Sequence, residues 1–323
     1  MRVISADQIE AVLAYPRLVD DLEAAFRIGA IAPPRHHHAV RLPSGEPDAT
    51  LLLMPAWSAS APGAATAGRY LGIKAVTVFP GNGRRGLAAV QGAYLLLSGE
   101  TGEPLALMDA PRLTAWRTAA ASALACRYLS RTDASHLVLV GAGALGGYLA
   151  RAHASVRPIT EVTIWNRTRA NAETLRTALA RHLPGCRITV ADDLEAAVRG
   201  ADIVSTATLS TTPLIEGAWL QPGTHLDCVG AFRPDMRETD DEVVRRARIW
   251  VDTCQGAASE AGDLLIPILS GVIDKTKIEG DLHELARGTA PLRQLASDIT
   301  MFKSVGASLE DLAAAIAVYE HAS

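Results

Sequence analysis

The chain has 323 residues, of which 49% are hydrophobic and 20% charged, with a formal net charge of -4. That length points to two domains of a globular protein, and the charge balance offers no basic field for nucleic acid and no apolar run of membrane-spanning length. Cys126, Cys186, Cys228 and Cys254 are scattered without CxxC or zinc spacing, which predicts reduced, mostly buried thiols in a cytoplasmic protein.

The N-terminus, MRVISADQIEAVLAYPRL, lacks an apolar core ahead of a small-residue cleavage site, so no signal peptide is expected. Ser5 with Gln8 forms a capping-box pattern before a first helix, and PRLVDDLEAAFRIGA predicts a second. Strand-like runs follow in ATLLLMPAW, YLGIKAVTVF and AAVQGAYLLLSGETGEPLALMDA. In the last of these, SGETGEP is a turn cluster between two strands of a hairpin. LTAWRTAAASALACRYLS predicts a helix with a small-residue face suited to close packing on a sheet.

From His136 the pattern changes to short apolar runs separated by helix-length segments: HLVLVGAG, EVTIWN, CRITVA, ADIVSTAT, THLDCVGA and ARIWVDT. Six such strands predict an α/β domain, a Rossmann-type doubly wound parallel sheet, beside an α+β domain built by the earlier part of the chain. The expected boundaries are 1–130 for the first domain and 131–294 for the second. ITMFKSVGASLEDLAAAIAVYEHA is expected to be a loop and a closing helix, with Ser308 and Asp311 placed to cap it. That segment, from about 295 to 323, should pack back on the first domain.

LVLVGAGALGGYLA places Gly141, Gly143 and Gly146 at GxGxxG spacing between a strand and a helix. The first glycine permits a tight turn, the second lets backbone approach a pyrophosphate, and the third lets helix and strand pack closely. Gly141, Ala142, Gly143, Ala144, Leu145 and Gly146 are therefore candidate cofactor-binding residues. At the end of the second strand, where NAD-binding proteins place an acid about 20 residues on, stand Asn166, Arg167 and Thr168. An acid there bonds the ribose hydroxyls and repels a 2′-phosphate, whereas Arg167 attracts one, so NADP(H) is predicted ahead of NAD(H). Thr206, Ala207 and Thr208, ending the fourth strand, are expected beside the nicotinamide half, with Val229 and Gly230 after the fifth.

A second group of cations suggests an anionic substrate. Period-two alternation puts Lys74 on one face with Val76 and Val78, where a lysine either snorkels out or is used. Arg117 sits near the start of an Ala-rich helix, against the helix dipole, and Arg35 precedes an expected edge strand. His36, His37 and His38 are adjacent, so on a strand they alternate between faces and do not converge on one ion; no metal is predicted.

GIKAVTVFPGN, LMDAPRLTAWRTAAASALA, VGAGALGGYLA, TIWNRTRANAE, LDCVGAFRPDMRE and ITMFKSVG, in this order, resemble the ornithine cyclodeaminase/mu-crystallin family over nearly the whole chain. The resemblance implies a Rossmann domain beside a substrate-binding and dimerisation domain, and a homodimer. It also implies that Arg35, Lys74 and Arg117 surround a substrate carboxylate, and WNRT resembles the NADPH-using members. Cyclodeaminases carry an aspartate shortly after the glycine pair that follows the fifth strand; here that place falls on Phe232, with Asp235 the nearest acid beyond it. The expected activity is NADPH-dependent reduction of Δ1-pyrroline-2-carboxylate or Δ1-piperideine-2-carboxylate to L-proline or L-pipecolate. Arg35 and Arg117 would clamp the carboxylate, Lys74 would supply or stabilise the iminium proton, and Met54 and Phe232 would wall the pocket. The alternatives are an ornithine cyclodeaminase, a closely related amino-acid dehydrogenase, and a mu-crystallin-like binding protein that uses NADPH to order a pocket.

Overall fold

The computed structural model describes residues 1–43, 46, 48–58 and 68–322, and divides into two compact units, Met1–Arg117 with Ala307–Ser323 and Thr118–Gly306. In the first unit, strands β1 (Arg2–Ile4), β2 (Ala30–Ile31), β3 (His36–Val40), β4 (Ala49–Ser58), β5 (Tyr70–Val78), β6 (Val90–Ser98) and β7 (Pro104–Asp109) build one sheet. Its order is β1-β7-β6-β5-β4-β2, with β3 also paired to β4. β1 runs parallel to β7 and the other pairings are antiparallel, including the expected hairpin β6–β7.

Alternation along β4 to β7 separates a fully buried row from a half-buried one. Met54, Lys74, Tyr94 and Met108 stand opposite one another across the four strands, and all four are buried. On the other face Leu53, Ile73, Leu95 and Leu107 are half-buried. Helix Ser308–His321 packs over β4, β5 and β6 and beside helix Tyr15–Ile28, and Arg2 holds its end by donating to the carbonyls of Tyr319 and Ala322. The Ser5/Gln8 capping box forms as the sequence predicts. The predicted cap of the last helix does not. Its N-cap is Ala307, which makes no side-chain bond, and the Asp311 carboxylate is taken by two buried cations.

The second unit contains β8 (His136–Val140), β9 (Glu161–Trp165), β10 (Arg187–Val190), β11 (Ile203–Thr206), β12 (His225–Cys228), β13 (Arg248–Val251), β14 (Ile278–Asp281) and β15 (Thr300–Lys303). These form one parallel sheet in the order β10-β9-β8-β11-β12-β15-β13-β14. The Rossmann-like α/β expectation holds. Strand order reverses between β8 and β11, and in such sheets ligands bind outside the carboxyl ends at that reversal.

Two strands escape the sequence reading. β15, predicted as loop, lies between β12 and β13 with Thr300 and Lys303 wholly buried. Four residues tipped by a lysine carry no periodicity, and only a buried partner for that lysine makes the placement tolerable. β14 is four residues, IEGD, in which Gly280 and two acids leave no apolar run to mark a strand. The unit boundaries move accordingly. The closing segment of the first unit begins at Ala307, not about 295, and the earlier boundary falls within helix Ala110–Leu129, not at 130. Of the four cysteines Cys126 and Cys228 are buried, Cys186 is half-buried and Cys254 is exposed, an exception to the expected burial. Among the described residues no helix is long and apolar enough to cross a membrane.

Candidate active site

The first unit gathers its charges on the inner face of the sheet. Lys74 Nζ lies 2.7 Å from Asp311 Oδ2; Arg117 donates from Nε to Asp311 Oδ1 at 2.9 Å and from Nη1 to Glu310 Oε2 at 2.5 Å. Both carboxylates are 0% exposed, and Lys74 and Arg117 only 4% and 5%, so none of these charges is solvated by bulk water. Burial pushes the Lys74 amine down to about 8, with Arg117 and Arg35 adding to the effect and Asp311 opposing it. Burial also disfavours the Asp311 anion, but Arg117 and Lys74 outweigh it and hold the carboxyl below its usual range. Arg35 thus stands close enough to act on Lys74, immediately before β3. The histidines that follow it are exposed, with the rings of His36 and His38 stacked edgewise 6.3 Å apart.

Sequence reasoning singled out the three cations of this cluster and missed the acids. Glu310 and Asp311 look like ordinary first-turn acids of an amphipathic helix. The one available signal was that AAAIAV, following them, leaves no polar face to carry a solvated charge. Met54 sits beside Lys74 in the same buried row, 3% exposed, so it lines this cluster and offers little free surface.

In the second unit the glycine turn has the geometry its spacing predicts. Gly141 has φ 109°, and a Cβ there would lie 2.8 Å from the Ala207 carbonyl oxygen. Gly143 has open space where a Cβ would project, and it is exposed together with Ala144. A Cβ on Gly146, the first residue of helix Gly146–Val156, would meet Leu175 at 2.8 Å. Leu145 precedes that helix without a side-chain cap. The turn therefore presents uncapped helix-start N–H groups beside an open glycine, a cradle that fits a pyrophosphate.

Asn166 is partly committed elsewhere. Its Oδ1 accepts from the Ala142 N–H at 3.0 Å and its Nδ2 donates to the Thr168 carbonyl at 2.8 Å, so it braces the glycine turn. Arg167 is exposed and makes no hydrogen bond or ion pair with another described residue. Thr168 is the N-cap of helix Arg169–His182, yet its side chain makes no cap bond. A free guanidinium and an unspent hydroxyl thus meet at one helix start.

At the other end of the cofactor region, Thr206 is 0% exposed and its hydroxyl donates to Glu238 Oε2 at 2.8 Å. It is therefore a support and not a contact surface, while Ala207 and Thr208 are half-buried. The Val229 N–H donates to the Thr206 carbonyl at 2.8 Å, joining the ends of β11 and β12. Glu238 is fully buried; burial raises its carboxyl to about 7 against the opposing pull of Lys303. Phe232 is 42% exposed. Asp235 is exposed and held by the fork of Arg233, with Nε–Oδ1 3.0 Å and Nη2–Oδ2 2.9 Å, and Arg233 keeps its carboxyl below the usual range. An exposed, paired carboxylate is a poor replacement for a buried proton-handling acid.

The family model of the ornithine cyclodeaminase/mu-crystallin family matches residues 2–323. The chain belongs to that family. It is 36% identical over 321 residues to a Δ1-pyrroline-2-carboxylate reductase of Colwellia psychrerythraea, covering 99% of both chains. Among solved structures, the Δ1-pyrroline-2-carboxylate reductase of Thermococcus litoralis in complex with NADH and L-proline is similar with a TM-score of 0.91 and 31% identity, covering 100% of this chain and 97% of that one. An archaeal alanine dehydrogenase dimer with bound NAD is similar with a TM-score of 0.88 and 29% identity, covering 100% and 96%. The family membership that six collinear sequence segments suggested is therefore shown along the whole chain.

Proposed function

We propose that this family member is an NADPH-dependent reductase of small cyclic 2-carboxy imines, Δ1-pyrroline-2-carboxylate or Δ1-piperideine-2-carboxylate, giving L-proline or L-pipecolate. At the coarser level it is an NAD(P)H-dependent oxidoreductase acting on a C=N or CH–NH bond. The observation that carries the finer reading is Phe232. By the family resemblance the place of the cyclodeaminase acid falls on Phe232, whose ring is exposed, and the nearest acid beyond it, Asp235, is paired with Arg233. With no acid there to hold a second amine, a ring-bearing monocarboxylate suits the site better than ornithine.

The charge cluster of the first unit supports the same class. Lys74 and Arg117 are buried against Asp311 and Glu310, and Arg35 stands close enough to act on Lys74, so the cations that would meet a substrate carboxylate are gathered in one place. Arg117, its plane set by the two acids, and Arg35 hold that carboxylate and fix the imine carbon in place. Lys74 holds the proton that makes the imine an iminium, the better hydride acceptor, and Asp311 orients its amine. The bound nucleotide supplies the hydride. The residues that would hold it are the 141–146 turn at the pyrophosphate, Arg167 and Thr168 at the 2′-phosphate, and Ala207, Thr208, Val229 and Gly230 at the nicotinamide end. Asn166 and Thr206 brace those segments.

A homodimer is part of this reading. It is supported by the half-buried apolar row Leu53, Ile73, Leu95 and Leu107 on the outer sheet face, and by the dimeric state of the similar alanine dehydrogenase.

The reading is tested by following absorbance at 340 nm with Δ1-pyrroline-2-carboxylate and NADPH, in parallel with ammonia release from L-ornithine. Fast NADPH oxidation without ammonia is expected; ammonia release without net cofactor loss would replace the reductase by a cyclodeaminase. Arg167→Ala is expected to raise the KM for NADPH about tenfold or more while leaving that for NADH nearly unchanged, since one charge-assisted contact to a phosphate is lost. Equal effects on both nucleotides would remove the 2′-phosphate assignment.

A further inference from the structure

A buried ionic network lies behind the nicotinamide end of the second unit. Glu238 Oε1 accepts from the Thr208 N–H at 2.7 Å and the Thr208 hydroxyl at 2.8 Å, and Oε2 from the Thr206 hydroxyl at 2.8 Å. Lys303 at the end of β15 donates to the Gly230 carbonyl and pairs with Asp263 at 3.2 Å. Asp263 Oδ1 in turn accepts from the backbone N–H groups of Glu238 and Thr239 at 2.8 and 2.9 Å. Glu238, Asp263 and Lys303 are each 0% exposed. Burying three ionisable groups is costly unless their bonds are complete, and a hydrophobic trio would pack as well. Something other than stability is therefore the reason to look for.

The network surrounds a strained turn. Ala231 is the one non-glycine with positive φ among the described residues, at 50°, and it is wholly buried. On its N-terminal side Gly230 is pressed against Glu238, where a Cβ would lie 2.4 Å from the carboxylate carbon and from the Thr208 carbonyl oxygen. On its C-terminal side the Ala231 carbonyl accepts from Gly262 N–H at 3.3 Å, next to Asp263. The next residue is Phe232, half-exposed. Left-handed backbone at an alanine persists only where its surroundings over-determine it, and such positions gather at functional sites.

We propose that Glu238, backed by Lys303 and Asp263, is a positioning residue that locks the loops after β11 and β12 together, holds Ala231 left-handed, and so fixes the seat of the nicotinamide ring and the direction of Phe232. This rests on the functional reading above only in assigning the nicotinamide to these loops. Glu238 touches no reacting atom in this account; it acts through Thr206, Thr208 and Gly230.

The test compares wild-type protein, Glu238→Gln, Ala231→Gly and the double variant. Gln keeps the shape, and the Thr206 hydroxyl can turn to accept from the new amide, but the charge balanced against Lys303 is lost. Three readouts are taken: melting temperature, the emission maximum of bound NADPH with its Kd, and kcat with KM on Δ1-pyrroline-2-carboxylate. Glu238→Gln is expected to lower kcat by about tenfold to a hundredfold, the scale of a displaced reacting group, with the NADPH Kd changed by less than about threefold. Bound NADPH should then emit nearer the wavelength of the free nucleotide.

Adding Ala231→Gly relieves the strained turn, so it should restore the melting temperature without restoring kcat or the emission. A wild-type kcat and emission in Glu238→Gln would overturn the proposal, as would a kcat that recovers together with the melting temperature. Should Glu238→Gln not fold, Thr208→Val removes the hydroxyl's bond to Glu238 together with the one it accepts from Ser210 N–H, keeps the Thr208 N–H bond to Glu238, and is expected to lower kcat in the same way; a wild-type value there overturns the proposal equally. Emission of bound NADPH needs no turnover. A protein that binds NADPH but reduces no imine therefore loses the substrate reading while the positioning role is still decided.

Discussion

Arg117→Ala is expected to abolish imine reduction and to cost about 3–5 kcal/mol of stability, the range for breaking a buried ion pair by removing one partner. The loss is large because Glu310 and Asp311 are both 0% exposed and each gives an oxygen to the guanidinium. Without it Asp311 retains Lys74, while Glu310 loses its 2.5 Å partner in a place water does not reach. The two losses are separable. Glu310→Gln in the Arg117→Ala background removes a buried charge that has lost its bond to the guanidinium and should recover part of the denaturation midpoint, yet turnover should stay absent because the substrate carboxylate still lacks its clamp. Arg117→Lys keeps the charge but not the fork that reaches two acids at once, and should fall between. Turnover that survived Arg117→Ala with an unchanged substrate KM would show that Arg117 is a structural cation and nothing more.

Lys74→Met is expected to lower kcat by about a hundredfold or more, the contribution of a placed proton donor, while binding NADPH as the wild type does. Asp311 keeps Arg117 in this variant, so the fold should survive. The pH profile gives the sharper test. Lys74 must be charged to hold the iminium proton, and burial has pushed its amine down to about 8, so wild-type kcat/KM should fall as pH rises through that value. The groups that face it, Asp311, Arg117, Arg35 and Tyr94, do not offer another explanation near that pH. Asp311 is held ionised, and burial drives the Tyr94 phenol well above its usual range.

The sign of the stability linkage excludes unfolding from this group as the cause. A lysine that titrates lower in the folded protein than its ordinary 10.5 binds its proton more tightly when unfolded, so the fold gains stability as pH rises from about 8 toward 10.5. Activity should thus fall where this residue makes the protein more stable. A rate that stayed level from pH 7 to 10 would remove Lys74 as the proton donor.

Much of the architecture was legible in the sequence because it is written in short-range pattern. β8 to β13 are apolar runs between helix-length segments, and the glycines at 141 and 146 each meet a local geometric demand that the structure displays, while Gly143 leaves open space at the turn. Lys74 could be singled out from one strand because alternation alone puts a charge on an apolar face. Arg167 was legible as a departure from a spacing rule, and its guanidinium pairs with no other described residue.

What was not legible shares one physical cause. Asp311 is 237 positions from Lys74 along the numbering, and Lys303 is 65 from Glu238; a partner at that separation has no periodicity to betray it. β15 was missed for the same reason. Its lysine forbids a central strand until Asp263 is known to wait beside it.

By itself the sequence determined the two kinds of sheet, the glycine turn, the three cations it singled out and the family, because backbone propensity, alternation and glycine sterics act over a few residues. Only the tertiary structure decided which buried acids face Lys74 and Arg117, that Asp235 is exposed and paired, and that Thr206 is buried against Glu238. A buried charge is tolerable only with its partner in place, and that partner is chosen by the fold and not by the neighbouring chain.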